Sequence, residues 1–279
     1  MAVDPALPPA LASAALGGVS AILLRKATER SDTFLVNFAK LAAGSASLAI
    51  AALALGFEPP SATATLRIAY VALTGPLLGW YLYIKALSLG GVGLASTVAN
   101  TYPLVAAAVA CLLGSAPKPN HLAGALLVVI GVRLLLSGND GGRGAALLAG
   151  AASVLWGVNQ VVAKAAAEEG SPLTLSLLRA LFAAIPATPF ALARSVGRLS
   201  GEALALAAAA GFVTDFLGAL LWLLSLKVGS LAVAATVSAT TPVFAALLSS
   251  ALLKEETTLK RWLGVLAATA GVAVVSYAA

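Results

Sequence analysis

Cysteine, histidine and nucleotide-binding loops are almost absent from this chain, and each absence removes a class of function. Among 279 residues there is one cysteine, Cys111, and one histidine, His121. No intramolecular disulfide can form, and neither a cysteine cluster nor a histidine site for a metal can be built. No segment fits G-x-x-x-x-G-K-[ST], so an ATP-binding loop of that kind is excluded. We therefore expect no metal and no other cofactor.

Charged residues are also scarce. Only 10% of the residues are charged, whereas about a quarter are charged in a typical soluble domain. Hydrophobic residues make up 60% of the chain, and the mean hydropathy is +0.98. One soluble core could not bury that much apolar surface, so we expect an all-α integral membrane protein. The net charge of +6 implies no nucleic acid, because Lys and Arg at the cytoplasmic ends of membrane helices account for it.

The apolar runs divide the chain into ten predicted transmembrane helices with short polar connectors. A helix needs roughly 20 apolar residues to cross a bilayer. The runs are continuous rather than alternating, which excludes a β-barrel. No Lys or Arg precedes the first run, so we interpret it as a span and not as a signal peptide. The predicted spans are 6–25, 33–55, 65–85, 94–114, 121–137, 144–165, 172–194, 203–226, 231–253 and 261–278.

The second half of the chain repeats the first at an offset of 139 residues. Pro103, in "TVANTYPLVAAAVA", falls on Pro242, in "TVSATTPVFAALLS", and Lys40 falls on Arg179. A proline inside a helix removes a hydrogen bond and clashes with the preceding turn. We predict that the two prolines break spans 4 and 9 and act as hinges. A packing kink in each helix is the competing interpretation.

Each half, 1–138 and 139–279, holds five predicted spans. Because five is odd, the second copy enters the membrane from the opposite side, which makes the repeats inverted. Inverted repeats with broken helices at mid-depth are typical of secondary transporters.

These motifs together resemble the drug/metabolite transporter superfamily, of the ten-helix EamA type. The matching segments are "LGGVSAILLRK" and "LWGVNQVVAK" in spans 1 and 6, "NFAK" and "SLLRAL" in spans 2 and 7, and T-x-P in spans 4 and 9. The resemblance implies alternating access and a central cavity lined by spans 1, 3, 4, 6, 8 and 9. It also implies small metabolites, often amino acids, as cargo. One departure is that the glutamate expected after span 4 is missing in "GSAPKPN", although Glu255 follows span 9.

Three charged residues, Lys40, Arg179 and Asp215, lie about two turns or more inside predicted spans, where a charge is costly. Asp215, in "GFVTDFLGALLW", is the only acid deep in a span. It could contact a substrate amine, carry a coupling proton, or form a structural ion pair. Lys40 and Arg179 could reach an interface with their long side chains, which we favour. They could also contact an anionic group or pair with Asp215.

Polar and aromatic side chains within the predicted spans complete the candidate substrate-binding set. The amides could instead join helices, and the threonines could bond to their own helix. The aromatic rings could belong to an interfacial belt, which suits Tyr83 beside Lys85. The predicted substrate-binding residues besides Asp215 are Ser20, Trp80, Tyr81, Thr97, Asn100, Tyr102, Trp156, Asn159, Gln160, Trp222, Thr236 and Thr240.

The function predicted from these features is secondary active transport of a small metabolite, with an amino acid or related compound favoured and export as the candidate direction. An antiporter of sugar phosphates or nucleotide-sugars is the alternative, if Lys40, Arg179 and Lys227 face inward. A membrane enzyme would need clustered nucleophiles or paired acids, which are missing, so we predict no enzyme; a purely structural role is a further alternative. The expected partners are the lipid bilayer, the substrate and protons, in a monomer or homodimer.

The distribution of positive charge predicts the orientation in the plasma membrane. The face opposite the termini carries eleven Lys and Arg residues and the face with the termini carries four. The positive-inside rule therefore places both termini outside. Many relatives are thought to keep their termini in the cytoplasm, so the resemblance and the charges point in opposite directions, and we follow the charges.

Overall fold

The structure is a computed structural model that describes residues 4–112, 142–194, 199–253 and 258–277, with 123–124, 126–127, 130–131 and 134. These residues are helical apart from short turns, and no strand occurs among them. Six helical stretches are long and apolar enough to cross a membrane. The chain is an all-α integral membrane protein, as its sequence predicts. Most of predicted span 5, 121–137, lies outside the described residues.

Twelve α-helices and two π-helical segments make up this part of the chain. The first π-helical segment is Leu73–Gly79 and the second is Gly211–Gly218. The α-helices are α1 (Leu7–Ala27), α2 (Thr33–Leu55), α3 (Ala62–Ala72), α4 (Trp80–Ala99), α5 (Tyr102–Leu112), α6 (Gly142–Glu168), α7 (Pro172–Ala193), α8 (Gly201–Ala210), α9 (Ala219–Val228), α10 (Leu231–Ser238), α11 (Thr241–Leu252) and α12 (Leu259–Tyr277).

Hydroxyl and carboxylate caps fix where several helices begin. Ser61 and Ser200, which match at the repeat offset, accept hydrogen bonds from the third backbone N–H of α3 and α8. The Asp32 side chain accepts from two backbone N–H groups at the start of α2. Such caps satisfy donors that the helix itself leaves free. The third span of each repeat therefore starts at an equivalent residue.

Predicted spans 3 and 4 are joined at a reversal inside α4. The helical stretch from 62 to 109 is 48 residues long, whereas roughly 20 residues cross a bilayer. Gly91 has φ 75° and ψ 172°, a conformation that favours glycine. The Tyr83 hydroxyl lies 2.7 Å from Ser96 Oγ, which a straight helix would hold about 20 Å away. The chain therefore turns back at Gly91, between the two predicted spans.

Contacts at the helix ends establish that the two repeats are inverted. On one face, Asp4 accepts a 2.9 Å hydrogen bond from the Ser230 hydroxyl. Lys164 Nζ lies 3.3 Å from the Gly229 carbonyl on the same face. The start of α1 and the end of α6 thus share a face, which we call the terminal face.

The opposite face gathers the other ends of the same helices. The Arg25 guanidinium, near the end of α1, donates to the Ser88 carbonyl at 3.2 Å. Gly90 lies so close to Ala145, near the start of α6, that an added Cβ would collide with it. Since α1 and α6 are the matching first helices of the repeats, their opposite directions show the inversion.

In each repeat, a glycine of the first span packs against the broken helix of the other repeat. A Cβ on Gly18 in α1 would lie 2.7 Å from Phe244 Cβ in α11. A Cβ on Gly157 in α6 would lie 2.5 Å from Val105 Cβ in α5. Small residues let membrane helices approach to backbone contact. The glycines of spans 1 and 6 therefore allow these spans to pack closely against the broken helices of the opposite repeat.

Spans 4 and 9 break immediately before their prolines. Two-residue turns at 100–101 and 239–240 separate α4 from α5 and α10 from α11. Pro103 and Pro242 then lie in the first turn of the new helix, where the missing N–H has no intrahelical partner to lose. Each proline starts a second half-helix rather than bending a continuous one.

Candidate functional site

A cavity of about 150 Å³ lies between the two repeats, near the middle of the spans. Both breaks contribute to it, through Asn100 and Tyr102 at the first and Ser238 and Thr241 at the second. Its aromatic wall consists of Trp80, Tyr83, Tyr102, Trp156 and Trp222. Its polar lining consists of Ser13, Asn100, Asn159, Gln160, Arg179, Thr214, Asp215, Ser238 and Thr241.

The two π-helical segments also meet this cavity, and they occupy equivalent places in the repeats. Pro76 of the first segment and Asp215 of the second match at the repeat offset, and both line the cavity. A π-helical turn holds an extra residue and occurs preferentially at functional sites. The irregular backbone of spans 3 and 8 is therefore shared by the repeats, although the side chains there differ.

A buried cluster of three charges lies beside the cavity. Lys40 Nζ from α2 donates to Asp215 Oδ2, and Arg179 Nη2 from α7 lies 3.6 Å from Asp215 Oδ1. The side chains of Lys40, Asp215 and Arg179 are 0%, 2% and 7% exposed. Neither cation reaches an interface, so the interpretation we favoured from the sequence is wrong. The reason is that Asp215 lies within reach of both side chains inside the protein, so that each forms an ion pair with it instead of extending to water.

Two glycines bring α2 against the second π-helical segment and so make this cluster possible. A Cβ on Gly44 would collide with the Cβ of Asp215, and one on Gly211 would collide with the Lys40 carbonyl oxygen. The two backbones therefore touch at these positions. Any larger side chain would separate Lys40 from Asp215.

Three aromatic rings of the cavity wall pack together, and one of them contacts the charged cluster. The ring centroids of Trp80, Tyr83 and Trp156 lie 5.4–5.5 Å apart in tilted or edge-to-face pairs. Lys40 Nζ lies 4.4 Å from the Trp80 ring centroid, a cation–π distance. Tyr83 is 2% exposed, so the alternative that places it in an interfacial belt is wrong.

Trp222, another ring of the cavity wall, contacts both Gln160 and Arg179. Its indole Nε1 donates to Gln160 Oε1 at 3.2 Å, and the Arg179 guanidinium carbon lies 5.7 Å from its ring. Gln160, Trp222 and Arg179 thus form one continuous side of the cavity.

Three predicted site residues are turned away from the cavity by their own hydrogen bonds. The Thr97 and Thr240 hydroxyls donate to carbonyls of their own chain segment, those of Gly93 and Val237, both at 2.7 Å. Ser20 Oγ is buried behind the cavity wall and lies 3.3 Å from the Thr214 hydroxyl. Short hydroxyl side chains often satisfy nearby backbone in this way.

Tyr81, Thr236 and Glu255 complete the account of the predicted residues. Tyr81 contacts the Phe34 ring at 6.2 Å instead of lining the cavity, because it follows Trp80 in the helix and points to another side. The side chain of Thr236 and the whole of Glu255 lie outside the described residues.

Sequence reasoning gave no role in the site to four hydroxyl side chains that line the cavity: Ser13, Thr214, Ser238 and Thr241. The repeat offset could have found one of them, because it places Thr241 on the predicted residue Tyr102. The π-helical segments have no such signal in hydropathy.

Two buried donors at the cavity lack a partner among the described residues. They are Nε of Arg179 and Nδ2 of Asn159. The other amide atom of Asn159, Oδ1, accepts a 2.8 Å hydrogen bond from the Thr74 hydroxyl. Over the described ranges, no group of three or more His, Cys, Asp and Glu residues that could hold a metal ion is found. The cavity wall thus combines flat apolar rings with two residues, Arg179 and Asn159, that each carry a buried unpaired donor.

Comparison with known proteins places the chain beside transporters. The model of the EamA-like transporter family matches residues 6–137 and 143–277. A solved structure, titled only as the crystal structure of a protein, is similar with a TM-score of 0.70. The similarity covers 98% of this chain and 97% of that chain at 22% identity, so it shows the fold alone. No curated protein matches the chain.

Proposed function

Because the chain belongs to the EamA-like transporter family, we propose that it carries a small metabolite across the membrane by alternating access. The cargo in this proposal is an amino acid or a related compound, and the direction is export. The observation that carries the proposal is the cavity between the inverted repeats, into which both helix breaks open. We assign residues 1–138 and 139–279 to the two repeats and no catalytic reaction to the site.

The architecture of the breaks supports binding at mid-depth. Helical backbone that is interrupted inside a membrane is tolerated where it faces protein or a polar cavity. The residues that begin α5 and α11, Tyr102 and Thr241, both line the cavity. Half-helices that meet a substrate at the repeat interface are the usual arrangement in secondary transporters.

The size and charge of the cavity favour a small compound over a nucleotide-sugar. A volume of about 150 Å³ matches a cavity that takes a benzene-sized ligand. Of the three cations that the sugar-phosphate alternative requires, only Arg179 lines the cavity. Lys40 lies behind Asp215, and Lys227 donates to the Gly170 carbonyl at the protein surface.

The orientation follows from charge. We propose that the terminal face, which carries four Lys and Arg residues against eleven on the other face, lies outside the plasma membrane. A fusion of alkaline phosphatase to the C-terminus should then be active. An inactive phosphatase fusion, together with a fluorescent fusion of green fluorescent protein at the same terminus, would place the terminal face in the cytoplasm and contradict this proposal.

Counterflow in proteoliposomes tests the proposed function. Vesicles loaded with an unlabelled amino acid should accumulate the labelled compound, because exchange needs neither a known direction nor a known driving force. A pH gradient then tests for coupled protons. Accumulation that occurs only with a sugar phosphate inside would favour the antiporter, and failure of both compound classes would refute the proposal.

A further inference from the structure

We propose that Arg179 forms a carboxylate-binding subsite in the cavity, so that the transported compound is recognised through its anionic group. The inference rests on the proposed transport function, because it names the chemical class of the substrate. It differs from an amine contact at Asp215, which the sequence alone made attractive.

The charge balance of the buried cluster is the first argument. Among the residues that the structure describes, Asp215 is the one acid in ion pairs with Lys40 and Arg179, and all three are more than nine-tenths buried. One positive charge remains uncompensated in a region where an isolated charge is strongly disfavoured. A bound anion would compensate it.

The geometry assigns that excess charge to Arg179. Lys40 is fully buried, bonds to Asp215 and lies against the Trp80 ring, and it is not part of the cavity wall. Arg179 does line the wall, and its 3.6 Å approach to Asp215 is longer than a hydrogen bond. Asp215 is thus held chiefly by Lys40, and Arg179 remains available to a ligand.

The unpaired donors of two cavity-lining residues support the same ligand chemistry. Arg179 Nε and Asn159 Nδ2 are buried without a partner among the described residues. A carboxylate accepts hydrogen bonds only, and it fits the planar fork of a guanidinium. An ammonium group, by contrast, would have to compete with two cations for Asp215.

The rest of the wall defines the other end of the ligand. The rings of Trp80, Tyr83, Trp156 and Trp222 offer flat apolar surface in the same cavity. With a volume of about 150 Å³, the cavity suits a compact carboxylate with a planar or short apolar body.

Three ligands that share one benzene ring but differ in charge distinguish carboxylate recognition from simple apolar binding. Benzoate, neutral benzamide and cationic benzylamine are titrated by calorimetry into the purified full-length protein in detergent. We expect benzoate to bind at least tenfold more tightly than either of the others. Arg179→Gln should remove that preference, so that benzoate binds no more tightly than benzamide. Lys227→Gln, which removes a surface cation, is the matched control and should behave as wild type.

A second variant covers the case in which Arg179→Gln does not fold. Lys40→Met leaves the cavity wall intact but frees Asp215 to neutralise Arg179, so it should also weaken benzoate binding at least tenfold. Absence of benzoate binding, equal binding of the three probes, or an unchanged benzoate preference in the folded variants would overturn the proposal. Counterflow is read separately: Arg179-dependent benzoate binding without any transport would refute the transporter function and leave the subsite standing.

Discussion

The loss of Asp215 should destabilise the protein more than the loss of either cation. Asp215→Asn leaves Lys40 and Arg179 buried together with no anion between them. At 3.6 Å and an effective dielectric constant of about 20, the attraction between Arg179 and Asp215 is about 4–5 kcal/mol. Removal of one partner of a buried pair typically costs about 3–5 kcal/mol. We expect the free energy of unfolding to fall by about that amount.

Lys40→Met provides the contrast, because the remaining Asp215 and Arg179 form a neutral pair. We expect it to cost about 1–2 kcal/mol, within the range of ordinary buried substitutions. The double variant should cost less than the sum of the two single ones, since the residues interact directly. The measurement is an unfolding titration with sodium dodecyl sulfate in mixed micelles, followed by tryptophan fluorescence. A cost below about 1 kcal/mol for Asp215→Asn, or a larger cost for Lys40→Met, would refute the charge argument.

Two further predictions concern helix contact and pH. Gly211→Ala should destabilise the protein by about 1–3 kcal/mol in the same titration, because the added methyl group would collide with backbone of α2. Gly144→Ala, which meets nothing within 4 Å, is the control, and equal effects of the two would contradict the contact. On the terminal face, hydrogen bonds from Ser61 and Arg67 lower the pKa of Glu169 below its usual value of 4.5. The stability that Glu169 contributes is therefore present above pH 4.5 and lost as the pH falls through its lower folded-state pKa, so Glu169→Gln should show a shallower loss of stability in acid. Parallel acid titrations of the variant and wild type would contradict this assignment.

Local chemistry explains which helix boundaries the sequence predicted well. The span predicted at 33–55 coincides with Thr33–Leu55, because Asp32 is a strong capping residue directly before an apolar run. The span predicted at 172–194 ends one residue beyond Pro172–Ala193. Prolines at matching places in spans 4 and 9 likewise predicted where those helices break. These features depend on a few neighbouring residues, which the sequence displays.

The site residues divide along the same line. Gln160 was chosen because it follows Trp156-Gly157 in span 6, and Asn100 for its nearness to the break at Pro103; both line the cavity. Thr97 was chosen for the same reason as Asn100, but its hydroxyl bonds to its own helix. The direction of one short side chain depends on the turn it occupies, and hydropathy carries no information about it. The π-helical segments also escaped prediction, because an extra residue in a turn leaves an apolar run apolar.

The sequence by itself determined that the chain is a helical membrane protein, that its halves repeat, and that the same span breaks in each. These features follow from the apolar content, from the number of predicted spans in each half and from the local effect of proline. Each can be assessed from a residue and its neighbours in the chain, without knowledge of which distant residues it contacts. Only the tertiary structure decided the partner of Lys40, which is an aspartate 175 residues away. That pair depends on two helices meeting at Gly44 and Gly211, and backbone contact between distant segments is a product of the whole packing arrangement.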